Sequence, residues 1–152
     1  MAELTFRDAV AADLPDIIAL LADDPLGRTR EDATLPLAAG YLEAFAAIEA
    51  APDQRLVVAC EDGRVVGTLQ LLFLPCLSGK GGWRGQIEAV RVARERRGEG
   101  IGERMARWAI EQCRARGCAR VQLTSDNSRA DAHRFWERVG FSPSHRGFKL
   151  SL

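Results

Sequence analysis

Gln86-Ile87-Glu88-Ala89-Val90-Arg91-Val92 runs through Ala93-Arg94-Glu95-Arg96 into Arg97-Gly98-Glu99-Gly100-Ile101-Gly102 and on into a helical pattern. The first segment reads as a strand. Beyond the turn, Ile101, Met105, Trp108, Ala109 and Cys113 recur at helical spacing, which predicts a helix over 100–116. Glycines between a strand and a helix let successive backbone N–H groups converge where the helix dipole is positive, a setting that suits a phosphate or pyrophosphate. The same glycines also serve an ordinary strand-to-helix turn. Two familiar phosphate motifs do not fit. A P-loop ends in Gly-Lys-Ser/Thr, whereas Gly102 is followed by Glu103 and Arg104. A dinucleotide fingerprint counted from Gly98 places Glu103 at its third glycine.

Working outward, Leu4, Phe6 and Ala9 suggest a first strand. Asp13-Leu14-Pro15-Asp16 opens a helix with Asp13 as its cap, running to about Ala22. A second helix is expected over Leu35 to Ala50, capped by Thr34. Arg55 to Cys60 and Val65 to Leu74 form a hairpin across Asp62-Gly63. After the helix ended by Gly117, Arg120 to Thr124 is a strand. Ala130 to Val139 is a helix closed by Gly140, and Phe141 with Phe148 to Leu152 reads as a last hairpin. The order is β-α-α-β-β-β-α-β-α-β. It predicts an α+β (α/β mixed sheet) fold, one sheet covered by helices, in a single domain over residues 1–152.

Composition narrows the function classes. Hydrophobic residues make up 47% of the 152, enough for a core and too many for a disordered chain. No apolar run nears the roughly 18 residues that cross a bilayer, and the start lacks the features of a signal peptide, so a cytoplasmic protein is expected. The four cysteines form no Cys-x-x-Cys pair, which argues against a metal site, and Cys60 and Cys113 read as core residues. Net charge is zero but uneven: residues 1–50 carry ten acids against three bases, and the rest carries the compensating excess of arginine.

Arg97-x-x-Gly100-x-Gly102 resembles the acetyl-CoA motif of the GNAT superfamily of N-acetyltransferases. Ile87-Glu88-Ala89-Val90-Arg91-Val92 resembles that family's central strand. Ala132-His133-Arg134-Phe135-Trp136-Glu137-Arg138-Val139-Gly140-Phe141 resembles its later helix and exit strand. The resemblance implies a V-shaped sheet, open between Gln86–Val92 and Arg120–Thr124, that takes acetyl-CoA as co-substrate. It implies cofactor contacts from Val90, Arg91 and Val92, and a pyrophosphate grip by Arg97, Gly98, Glu99, Gly100, Ile101, Gly102 and Glu103. It also implies direct attack of an amine on the thioester, with no metal.

An attacking alkylamine must first lose a proton. Glu88 stands two residues before Val90, where the family often carries an acid working through water, and is the expected base. A carboxylate that pairs with an arginine, or only orients substrate, is the alternative. Trp136 occupies the place of the family's tyrosine acid, and an indole N–H is not a proton source. It either packs against the cofactor or fills the core. Ser125, Ser128 and His133 are substitutes that nothing in the sequence ranks. Seven residues before Trp136, Arg129 replaces the family's asparagine; Asn127 is a nearby substitute, and Arg129 is a partner for a CoA phosphate. Arg94, Arg96, Arg134 and Arg138 are further phosphate candidates.

The acceptor is expected to be a small amine or amino-acid-like molecule. Asp23, Asp24, Glu31, Asp32 and Glu43 are placed to attract its charge, and Tyr41, Phe45 and Trp83 to line its apolar part. A catalytically weak acyl-CoA-binding regulatory domain and a protein or peptide N-acetyltransferase are the alternatives. The acidic first third argues against nucleic acid as a partner. Family members are often homodimers, but no segment identifies an interface.

Overall fold

The computed structural model describes residues 2–152. Five strands form one sheet in the order β1-β2-β3-β4-β5. They are β1 (Thr5–Asp8), β2 (Gln54–Glu61), β3 (Arg64–Leu74), β4 (Arg84–Val92) and β5 (Arg120–Gln122). Four helices cover it: α1 (Leu14–Ala22), α2 (Ala39–Ala50), α3 (Ile101–Ala115) and α4 (Ala130–Val139). β1 to β4 are antiparallel neighbours, as the short connections between β2, β3 and β4 require, and β5 returns parallel to β4 after the α3 crossover. The mixed sheet with flanking helices expected from the element order is therefore present.

The sheet is buried on both faces, so its middle strands are continuously apolar rather than alternating. In β2, Val57 and Ala59 pack toward α3 with Leu69, Leu71, Phe73, Ile87, Ile101, Met105, Ala109 and Cys113. Val58 and Cys60 face the other way, toward Leu14 and Ile17 of α1 and Phe45 of α2. α3 lies directly on the β4 backbone, because a Cβ added to Gly85 would overlap Cys113 Sγ. Cys60 and Cys113 are core residues, as their patterns predict.

Four local expectations are corrected. Asp13 does not cap α1; its carboxylate takes the Val10 N–H at 2.8 Å and pairs with Arg7, closing the loop before the helix. α2 begins at Ala39 rather than Leu35, since Pro36 disfavours helical backbone at the residue before it. β5 stops at Gln122 instead of Thr124 because β4 has parted from it there. The final hairpin is absent: Phe141 and residues 148–152 pair with no strand. A strand has no stability without a partner, and Phe148, Leu150 and Leu152 find no apolar surface in their own chain.

Candidate active site

β4 carries the irregularity on which the site is built. Thr68 pairs with Arg91 and Gln70 with Glu88, so three steps along β4 match two along β3. This is a β-bulge, and within it Ala89 takes φ 52°, a left-handed conformation that costs a residue with a Cβ about 1–2 kcal/mol. On the other side, the β4–β5 ladder ends at Gln86 and Gln122 while β4 continues to Val92. The two strands thus splay, as the V-shaped sheet requires. From Ile87 onward, β4 has no strand beside it on that side, which opens a slot lined by its backbone.

At the end of that slot lies the glycine turn. Gly98 and Gly100 both have positive φ, 82° and 79°, which lets the chain double back immediately before α3. Gly100 takes the cap position, and no side chain caps the helix. The first intrahelical bond is the Arg104 N–H to the Gly100 carbonyl, so the N–H groups of Ile101, Gly102 and Glu103 remain free at the positive end of a long helix. The side chains of the turn point into other duties. Arg97 donates to the Val92 and Asp23 carbonyl oxygens, at 3.1 and 3.0 Å, tying the turn to β4 and α1. Glu99 is paired with Arg96, and Glu103 with Arg107. What the turn has to offer an anion is therefore its backbone N–H groups. Phe135 of α4 closes over it, its ring standing about as far from a Cβ built on Gly102 as Val92 does, 3.7 Å.

Glu88 sits half-buried beside the bulge. Its Oε1 accepts from Gln86 Nε2 at 2.7 Å, and Gln86 Oε1 accepts from Gln122 Nε2 at 2.8 Å. This relay, spanning the mouth of the slot from β5 to β4, aims the carboxylate. Among the described residues Glu88 forms no ion pair, so the arginine-paired alternative is not what the structure contains.

Asp24, just past α1, is the electrostatic hinge of the site. Arg129 meets both its carboxylate oxygens at 2.6 Å, Gly27 N–H adds 2.9 Å, and Arg91 stands at 3.6 Å. These contacts hold the Asp24 carboxyl well below the usual range, Arg129 foremost. Arg91 is less fully matched. Its Nε is buried without a partner, burial pushes its guanidinium down, and Arg129, Arg30 and Arg97 all add positive charge around it.

The remaining expected residues fall as follows. Arg129 is engaged with Asp24, and Asn127 is exposed in the loop before α4. Trp136 fills the core edge, stacked edge-on with Phe135 and Phe141. Ser128 is bonded to Asp126 and the His133 ring to the Asp126 carbonyl oxygen. Asp23 pairs with Arg94 and Arg97, and Glu31 accepts from the Tyr41 hydroxyl. Arg134 pairs with Asp131, and Arg96 with Glu61 as well as Glu99. Phe45 lies in the core under α1 and α2, and Trp83 packs against the core on the α3 face of the sheet. Sequence reasoning missed the bulge at Ala89, the Gln86–Gln122 relay and the double role of Asp24. Only the exchange of the family's asparagine for Arg129 hinted at the last.

Comparison with known proteins bears on the same segments. The description "Acetyltransferase (GNAT) family" matches residues 16–141. The aminoalkylphosphonate N-acetyltransferase of Salmonella typhimurium is 33% identical over 112 residues, 74% of this chain and 72% of that one. The glucosamine 6-phosphate N-acetyltransferase of Trypanosoma brucei brucei is 33% identical over 90 residues, covering 59% of each chain. A crystal structure described as a transcriptional regulator from Bacillus halodurans is 44% identical, with a TM-score of 0.96 over 99% of this chain and 100% of that one.

Proposed function

The chain belongs to the GNAT acetyltransferase family, and on that premise we propose that it acetylates the primary amine of a small acceptor that also carries a phosphonate or phosphate. It is an acetyl-CoA-dependent N-acetyltransferase. The observation that carries the amine-activating part of this reading is Glu88, which accepts from Gln86, itself held by Gln122, and forms no ion pair among the described residues.

The slot fits acetyl-CoA on its own chemistry. The free N–H groups of Ile101, Gly102 and Glu103, reached through Gly98 and Gly100, suit the pyrophosphate. The backbone of Val90 and Val92, beside the bulge and away from any neighbouring strand, suits the amide-bearing arm. Bound there, acetyl-CoA supplies the thioester that the amine attacks, CoA leaving as thiol or thiolate. Glu88 takes the proton from the ammonium form of the acceptor through water, which frees the nitrogen lone pair. The amide of Gln86 fixes which carboxylate oxygen faces the slot. Trp136 supplies no proton, so the leaving thiolate is protonated from solvent.

The anionic end of the acceptor is assigned to the arginine side of the site. Arg91 shares one carboxylate with Arg129 and is left partly unmatched, and Arg30 stands near enough to Arg91 and Asp126 to add its charge. A doubly charged phosphonate complements this surplus. The Salmonella typhimurium and Trypanosoma brucei brucei relatives support it, since each is named for an amine that bears a phosphonate or phosphate.

Thiol release measured with acetyl-CoA and paired amines tests the proposal. 2-Aminoethylphosphonate is expected to outperform ethanolamine by at least tenfold in kcat/KM. Turnover confined to peptides or proteins would overturn the small-molecule reading. Calorimetric acetyl-CoA binding with no turnover on any amine would favour a regulatory role, as the description of the Bacillus halodurans protein suggests.

A further inference from the structure

The face of the sheet that α1 and α2 cover changes character along its length. In β2 it turns Val58 and Leu56 to the helices, and two residues before Leu56 the same parity brings Gln54. Leu69, Leu71 and Ile87 face α3, so Gln70 of β3 and Gln86 and Glu88 of β4 face the other way. Val121 and the adjoining Leu123 likewise leave Gln122 of β5 on that face. Gln54, Gln70, Gln86, Glu88 and Gln122 therefore form a half-buried polar floor across four adjacent strands.

The bulge in β4 brings Arg91 to the same face. Thr68 and Gln70 stand two apart on β3, so their partners Arg91 and Glu88 share a face although they are three apart on β4. The hydrogen bonds of the floor divide into two sets. An ionised carboxylate only accepts, so Gln86 turns Nε2 to Glu88 and Oε1 to Gln122 Nε2. Gln70 stands outside that relay. It lies directly opposite Glu88, where paired residues have Cβ atoms about 5 Å apart. Its Nε2 nevertheless donates to Gln54 Oε1, at 3.0 Å. Among the described residues Gln70 Oε1 and Gln54 Nε2 take part in no other side-chain hydrogen bond. One is a neutral acceptor and the other a neutral donor. A hydroxyl both donates and accepts, so it satisfies the two together; an ammonium only donates, and a methyl does neither.

We propose that Gln70 and Gln54 form a hydroxyl-reading subsite, and that the acceptor carries a hydroxyl on the carbon next to the one that bears its amine. The subsite depends on the small-amine reading above, with the nitrogen at Glu88 and the anionic end at Arg91. From that nitrogen, the third substituent of the amine-bearing carbon reaches sideways across the floor from β4 toward β3 and β2. Gln122 is not assigned this part, because its amide nitrogen is committed to the relay.

Two amines that differ in one hydroxyl test this, 2-amino-3-hydroxypropyl phosphate and 2-aminopropyl phosphate. Thiol release with acetyl-CoA is followed for both. Wild type is expected to favour the hydroxylated amine about tenfold in kcat/KM, the scale of one added hydrogen bond. Gln70→Leu is expected to bring the ratio to within about twofold of one, whatever it does to the separate rates. A wild-type ratio below about threefold overturns the subsite alone, and so does a ratio that Gln70→Leu leaves unchanged. Wild-type turnover of neither amine overturns the subsite together with the reading it depends on. Should Gln70→Leu not fold, Gln54→Leu reads the same ratio, because it removes the donor and frees the Gln70 amide. Its ratio is expected to fall at least about threefold, and a wild-type ratio in that variant overturns the proposal.

Discussion

At the residue scale, Glu88 and Asp24 show how differently a half-buried and a buried carboxylate are used. Among the described residues Glu88 forms no ion pair, and it receives one neutral hydrogen bond from Gln86. Glu88→Gln is expected to lower kcat by about 100-fold, the scale of a lost general base, while calorimetric acetyl-CoA affinity stays within twofold. Asp24 is spent on structure, with both oxygens on Arg129 and a third bond from Gly27. Removing its charge leaves Arg91 and Arg129 facing each other, so Asp24→Asn is expected to cost about 3 kcal/mol in urea unfolding. Its folded pKa is lowered, so the stabilisation is complete above the ordinary carboxylate value of about 3.9. It is lost as pH falls below that value toward the folded one. Wild type is therefore expected to lose its advantage over Asp24→Asn below about pH 4, read as converging urea midpoints. Arg30 bears on the acceptor, and Arg30→Ala is expected to raise the KM for 2-aminoethylphosphonate about tenfold and leave that for ethanolamine unchanged.

At the element scale, the bulge in β4 and the turn before α3 are the working parts, and both depend on left-handed backbone. Ala89 is held at positive φ by the register on either side of it. A β-branched side chain is strained there, so Ala89→Val is expected to weaken acetyl-CoA binding at least tenfold by straightening the strand. Ala89→Gly is expected to preserve binding and activity, because glycine adopts the conformation freely. The contrast between the two variants, measured by calorimetry, separates backbone shape from side-chain contact. The glycine turn was legible in the sequence because positive φ at a helix start demands glycine. The bulge was not, because alanine gives no sign of a left-handed residue and a register shift belongs to two strands at once.

At the scale of the whole molecule, the acidic first third and the arginine-rich remainder meet each other. Asp8 pairs with Arg55, Asp23 with Arg94 and Arg97, and Asp24 with Arg91 and Arg129. Of the acids expected to draw in a cationic amine, Asp23 and Asp24 are thus committed to closing the fold, and Arg91 and Arg129 gather on Asp24. The sequence by itself determined the element order as far as α4, the mixed sheet, the glycine turn and Glu88 on the central strand. Those features rest on local backbone preference and periodicity, which a linear string records. Only the tertiary structure decided the splay of β4 from β5, the relay through Gln122 and the capture of Arg129 by Asp24. It also left the last strand without a partner. Each of these depends on residues far apart in the chain being brought together, 105 positions apart for Asp24 and Arg129. The glycine turn promised an anion site; the fold set Glu88 at the bulge of the strand that leads to it and gathered Arg91 and Arg129 around Asp24.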